Sequence, residues 1–177
     1  AIGHVKYANK EVKGLENVQP FLFKHNTGNF ALANNGQLVN VNELKRYLEY
    51  HGSIFQSDSD SEILAHLIKK DTTNQNRLEV IIEALNKLEG SFALLIMTPD
   101  KMYACRDKYG LKPLAIGKLN GGYVVASETC AFEVIGAEYI RDVEPGEIVV
   151  IDEDGLHSVS YSHYKVHKMC AMEYIYF

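Results

Sequence analysis

Apolar residues fall in short blocks separated by turn chemistry, and the spacing of those blocks changes twice along the chain. Ala1 to Tyr7 reads as a strand, and Ala8 to Asn17, polar and carrying Gly14, reads as a loop. Pro20 introduces the short strand Phe21-Leu22-Phe23, followed by a turn at Asn26 to Gly28. Phe30 to Ala33 is the next strand. It runs into Asn35-Gly36, whose residues both tolerate positive φ and so predict a tight turn. The period then becomes helical. Leu44, Leu48 and His51 line one side of a helix that Asn42 can cap and Gly52 can end, and Ile54 to Gln56 makes a brief strand. Ser59-x-x-Glu62 has the form of a capping box opening a helix with Ile63, Leu64, Leu67 and Ile68 at helical spacing. A further helix from Arg77 to Glu89 sets Leu78, Ile81, Ile82, Leu85 and Leu88 on one face, and Gly90 stops it.

Strand spacing then returns. Phe92 to Thr98 is a continuous apolar run, turned by Pro99-Asp100 into Met102 to Arg106. Leu114 to Gly117 and Tyr123 to Ala126 flank an Asn120-Gly121-Gly122 turn, and Ser127 can cap a short helix through Ile135, ended by Gly136. Glu147 to Ile151 is a strand between Pro145-Gly146 and Asp152 to Gly155; beyond Tyr161 the periodicity fades. Hairpin-linked strands, with helices in pairs rather than between every two strands, predict an α+β fold of antiparallel sheets.

Composition narrows the function. A chain of 177 residues can bury one sizeable core, and 46% hydrophobic with 23% charged residues is a soluble balance. A formal charge of −5 argues against nucleic acid or an anionic membrane as main partner. No apolar run approaches the roughly 20 residues of a membrane helix. The three cysteines, Cys105, Cys130 and Cys170, are odd in number and widely spaced, which fits reduced thiols in a cytoplasmic protein. Both ends break off in apolar sequence, so the expectation is a fragment of a longer chain.

Familiar cofactor motifs are absent: there is no P-loop, no G-x-G-x-x-G and no G-x-S-x-G elbow. Asp58-x-Asp60-x-Glu62 resembles the start of a calcium loop, but Ile63 occupies the position that needs glycine. His163, His167 and Cys170 offer metal-capable side chains without a fourth ligand at usable spacing. Asn35-Gly36 has a chemical reading beside the turn: a carboxamide NH2 and a glycine N–H are two donors that can cradle a developing oxyanion.

Gly3-His4-Val5-Lys6-Tyr7, Asn17-Val18-Gln19-Pro20-Phe21, Asn35-Gly36 and Ser59-Asp60-Ser61-Glu62 stand in the order seen in class II glutamine amidotransferase domains. Arg106-Asp107-x-x-Gly110-Leu111-x-Pro113-Leu114, Ala126-Ser127-Glu128-Thr129-Cys130-Ala131-Phe132, Val143-Glu144-Pro145-Gly146-Glu147 and Glu173-Tyr174-Ile175-Tyr176-Phe177 resemble the amidophosphoribosyltransferase family in particular. The resemblance implies an N-terminal-nucleophile (Ntn) hydrolase-type four-layer α/β/β/α sandwich of two antiparallel sheets, here incomplete. Residues 1–160 would be a partial glutaminase domain, and 161–177 a connector towards a phosphoribosyltransferase domain of the same parent chain. In such enzymes an N-terminal cysteine attacks the glutamine side-chain amide with its own α-amino group as base. The ammonia released goes to phosphoribosyl pyrophosphate, bound with Mg2+, in the committed step of purine biosynthesis. The nucleophile would lie upstream of Ala1, and the full-length protein would be a homo-oligomer.

The resemblance also assigns roles residue by residue. The Asn35 carboxamide and Gly36 N–H correspond to the oxyanion hole. Asp60 matches the carboxylate that receives the substrate α-ammonium, and Lys6, beside Tyr7 at the substrate site, stands where the family has an arginine gripping the α-carboxylate. An ammonium lacks the guanidinium's planar fork, so weaker glutamine binding is expected. Asn9, Asn34 and Gln37 replace a usual threonine, histidine and asparagine, while Lys108, Tyr109 and Lys112 depart from a usual Pro, Asn and Arg. This cluster of changes keeps open an alternative, a non-catalytic domain retained for glutamine sensing or partner binding. Cys170 matches one ligand of a [4Fe–4S] cluster in a subgroup of the family; Cys105 and Cys130 read as core.

Overall fold

The computed structural model describes residues 1–5, 14–24, 28–70, 76–163, 167–168 and 171–176. Strands β1 (Phe21–Phe23) and β2 (Phe30–Leu38) lead into three helices, α1 (Val41–Tyr50), α2 (Asp60–Lys70) and α3 (Arg77–Lys87). Two hairpins follow, β3 (Gly90–Met97) with β4 (Met102–Arg106) and β5 (Ala115–Leu119) with β6 (Gly122–Ala126). Then come α4 (Cys130–Ile135), β7 (Glu138–Asp142), β8 (Glu147–Asp152), β9 (Gly155–Ser160) and α5 (Ala171–Tyr176). The strands pair antiparallel in two sheets, ordered β1-β2-β3-β4-β8-β9 and β6-β5-β7.

Alternation along the strands makes the layers. Leu32, Leu94, Ile96, Cys105, Ile148 and Val150 point from the larger sheet to the helices, where they pack with Leu48, Ile63, Ile68, Ile81 and Leu85. Their neighbours Ala93, Ala104 and Val149 point the other way, onto Ile116 of the second sheet and onto Leu114 and Val143, which flank its strands β5 and β7. Alanines on that inner face let the two sheets approach closely. Phe132 of α4 lies against Gly117, whose neighbour Ile116 faces the inter-sheet core, so α4 covers the outer face of the smaller sheet. The order of layers is helices, sheet, sheet, helix, as the resemblance implies. Each fully buried Leu or Ile contributes about 1.5–3 kcal/mol.

Several local expectations are corrected. Residues 1–5 form no strand, and Lys6 and Tyr7 lie outside the described residues. Asn35-Gly36 is not a turn: β2 runs on through Leu38, with Asn35 opposite Ala93 and Gly36 opposite Phe92. Ile54 to Gln56 is loop. Helix α1 starts after Asn40 rather than Asn42. The Asn40 carboxamide donates to the Lys87 carbonyl (2.9 Å) and accepts the Glu89 N–H (3.1 Å), tying the start of α1 to the end of α3.

The Arg106-Asp107 pair organises the loop after β4. Asp107 is fully buried, and its carboxylate accepts the N–H groups of Tyr109 (2.9 Å), Leu111 (3.1 Å) and Phe92 (3.3 Å). The Arg106 guanidinium donates to the carbonyls of Lys112 (2.7 Å), Val143 (2.7 Å) and Gly110 (2.9 Å). A motif that carries much of the resemblance therefore acts here as a structural stitch.

A second buried ion ties β7 to β8. Arg141 grips both oxygens of Glu147 (2.8 and 2.9 Å), which also accepts the Glu144 N–H. Burial pushes the Glu147 carboxyl up, but the bonds from Arg141, Ser158 and Glu144 outweigh it and hold the carboxyl below its usual range. A depressed carboxyl adds stability above its unfolded value, about 4.3, and loses it as pH falls through the lower folded value. Glu147→Gln should therefore cost roughly 1.5–3 kcal/mol at pH 7. In urea unfolding across a pH series, the gap to the parent protein should close on acidification. A gap constant with pH would contradict this account.

Candidate active site

The centre of the site is the part of β2 that outruns its neighbour. β1 pairs only with Phe30 to Leu32, so from Ala33 onward no described strand covers that edge of β2. Alternate N–H groups along a strand point the same way. Val39 donates towards β3, to the Glu89 carbonyl (2.9 Å), so the N–H groups of Asn34, Gly36 and Leu38 face the uncovered edge.

Side chains claim the two outer N–H groups. The Asn34 N–H donates to Gln19 Oε1 (2.7 Å), and Gln19 Nε2 donates to the Asn34 carbonyl (3.2 Å). Continuing the Phe21–Leu32 register would set residue 19 opposite residue 34. The buried Gln19 side-chain carboxamide, donating and accepting at residue 34, makes there the pair of bonds that a strand backbone would make. At the other end, the Leu38 N–H donates to Asp60 Oδ2 (3.0 Å). The Gly36 N–H is thus directed into the gap between Gln19 and Asp60.

Asp60 is the first residue of α2, and the loop before it is bonded from both sides. Asn17 Oδ1 accepts the Asp58 N–H (2.9 Å). Glu62 reaches back past Ser59 to the N–H groups of Gln56 (2.9 Å) and Ser57 (2.8 Å) and the Ser57 hydroxyl (2.7 Å), so the expected capping box is replaced by a longer clasp. Burial raises the Glu62 carboxyl, yet these donors hold it below its ordinary value.

Asn35, one residue over, projects to the opposite face. It lines a cavity of about 720 Å³ between the sheets, together with Ala33, Ala93, Leu95, Ser127 and Glu128. That is the size of a small-molecule site. Asp60 borders a different, smaller space on the helix side. The three described candidates therefore surround one stretch of β2: Asn35 on its inter-sheet face, the Gly36 N–H on its open edge, and Asp60 over its helix side. Lys6, Tyr7, Asn9 and Cys170 lie outside the described residues. Asn17 and Gln19 belong to a motif noted in the sequence, but only the register count above gives Gln19 a position.

The cysteines described here are not activated nucleophiles. Cys105 lies in the core as expected, and burial pushes its thiol far up. Cys130, expected there too, is instead exposed at the start of α4, its thiol raised chiefly by its hydrogen bond to Glu128 (3.4 Å). Among the described residues there is no cluster of three or more metal-ligating side chains, so these residues alone do not form the four-thiolate set a [4Fe–4S] group takes. No described helix is long and apolar enough to cross a membrane.

A family profile described as "Glutamine amidotransferase domain" matches residues 8–134. Among curated proteins, an amidophosphoribosyltransferase of Bacillus subtilis (strain 168) is 51% identical over 178 residues, covering 100% of this chain and 37% of that protein. One of Staphylococcus aureus (strain Mu50) is 43% identical, covering 100% of this chain and 36% of that protein. The chain thus spans little more than a third of the relatives it matches. A solved glutamine phosphoribosylpyrophosphate amidotransferase from B. subtilis, complexed with ADP and GMP, superposes at a TM-score of 0.92. It is 50% identical, and the match covers 98% of this chain and 37% of that one.

Proposed function

Because this chain belongs to the glutamine amidotransferase domain family, we propose that it forms the glutamine-binding walls of a glutaminase. The protein containing it would then be an amidophosphoribosyltransferase, passing the ammonia to phosphoribosyl pyrophosphate on a second domain. The observation that carries this reading is the row of N–H groups on the open edge of β2. Two are claimed by Gln19 and Asp60, and the middle one, from Gly36, faces the gap beside the Asn35 carboxamide.

Gly36 and Leu38 are two residues apart, about 7 Å along a strand. That spacing is comparable with the distance from the α-ammonium of a glutamine to its side-chain carbonyl. An α-ammonium beside Asp60 would leave the amide carbonyl near the Gly36 N–H and Asn35. These donors stabilise the negative charge that forms when a nucleophile attacks the carbonyl. The N-terminal cysteine of the full-length protein would supply that attack.

The test is glutamine-dependent release of ammonia and glutamate by the full-length protein, with and without phosphoribosyl pyrophosphate. Turnover is the expected result, together with a cysteine directly after the initiator or propeptide of the reading frame. A full-length protein with no cysteine there and no ammonia release, yet stabilised against heat by glutamine, would leave the sensing role instead.

A further inference from the structure

Behind Asn35, on the helix side of β2, a space of about 10 Å³ lies between β2 and α2. Its walls are Leu38, Leu64, Leu88, Phe92 and Leu94, except where Asn34, Asp60 and Ser61 reach it. Asn34 is 7% exposed and Ser61 1%. Among the described residues, neither Asn34 Oδ1 nor Ser61 Oγ has a hydrogen-bond partner. We propose that this space is a binding site for one water-sized hydrogen-bond donor, water or ammonium, bridging Asn34 Oδ1 to Ser61 Oγ beside the Asp60 carboxylate.

Size and chemistry select that occupant. A volume of roughly 10–15 Å³ holds a single water, and a wet cavity needs at least two polar partners. A carboxamide oxygen only accepts, so the guest must donate, while the Ser61 hydroxyl can serve in either sense. The neighbouring carboxylate and carboxamide oxygen repel an anion. Three oxygen-bearing side chains among leucines fall short of the six to eight oxygens that calcium takes. Two orphaned polar atoms in an apolar pocket are costly, and one shared guest satisfies both. The bridge would be a second tie between β2 and α2, beside the Leu38–Asp60 bond. This inference does not depend on the reaction the protein catalyses.

A crystal structure of the full-length protein at about 1.5 Å, grown in ammonium chloride so that both guests are available, should show one peak within about 3.2 Å of both atoms. Asn34→Leu should abolish it. An empty space in the unsubstituted protein would overturn the proposal. Melting temperatures in ammonium chloride and potassium chloride separate the two guests. Extra stability in ammonium that Asn34→Leu abolishes identifies ammonium, and equal stability identifies water. Where crystals fail, a double-mutant cycle of Asn34→Leu and Ser61→Ala decides. A shared guest predicts that the second substitution costs little after the first, and strict additivity would overturn the bridge.

Discussion

Gly36→Ala should destabilise the protein by roughly 2–6 kcal/mol, a large part of the 5–15 kcal/mol typical of a domain. Two independent costs add. Gly36 has φ 154°, inside the region that L side chains rarely adopt. A Cβ there would also run into the Ser91 carbonyl oxygen, with Phe92 Cα at 2.7 Å and Ser91 carbonyl carbon at 2.8 Å. These are backbone atoms of β3, which is held between β2 and β4, so they cannot swing aside as a side chain would. Gly121→Ala separates the costs: Gly121 also has positive φ, 83°, but its Cβ would meet nothing within 4 Å. Urea unfolding of both variants should place Gly36→Ala well below Gly121→Ala. Equal losses would mean that β2 and β3 are not tightly apposed at Gly36.

The same collision explains why the Asn35-Gly36 dipeptide misleads as local sequence. Its turn propensity is real, but tertiary pairing with β3 uses the glycine for close backbone approach instead of chain reversal. The helices and central strands were legible because their apolar period matches a buried face, as at Leu78, Ile81 and Leu85 or from Phe92 to Met97. β7 and β9 were not. They are edge strands whose residues are mostly exposed or half-buried, so the alternation that reveals a strand is blurred. Asn42 looked like the cap of α1 because its side chain has the right chemistry, but Asn40, two residues earlier, is bonded across space to α3.

Asn35-Gly36 could be read as a pair of donors from its own chemistry, but the rest of the candidate site was legible only through resemblance. Nothing local marks Asp60 as more than a helix N-terminal charge, and its bond to the Leu38 N–H depends on α2 being folded over β2. Gln19 is likewise silent as sequence. Its role as a replacement for a missing strand bond appears only once β1 and its register are known.

Asn35→Ala in the full-length protein should lower kcat for glutamine hydrolysis by about 10²–10³, the usual consequence of removing one oxyanion donor. Stability should change little, because Asn35 is half-buried beside a cavity, and no neighbour must collapse to fill its place. KM should also change little if the carboxamide meets the substrate oxygen only as charge develops there. The Gly36 N–H survives the substitution, so activity should fall without vanishing. Asn35→Asp sharpens the test. The side chain keeps its shape, but a carboxylate replaces a donor with a negative charge next to a developing negative charge, so the loss should exceed that of alanine. A drop of less than tenfold in both variants would place the oxyanion elsewhere. A drop expressed wholly in KM would make Asn35 a ground-state binder of glutamine rather than a stabiliser of the tetrahedral intermediate.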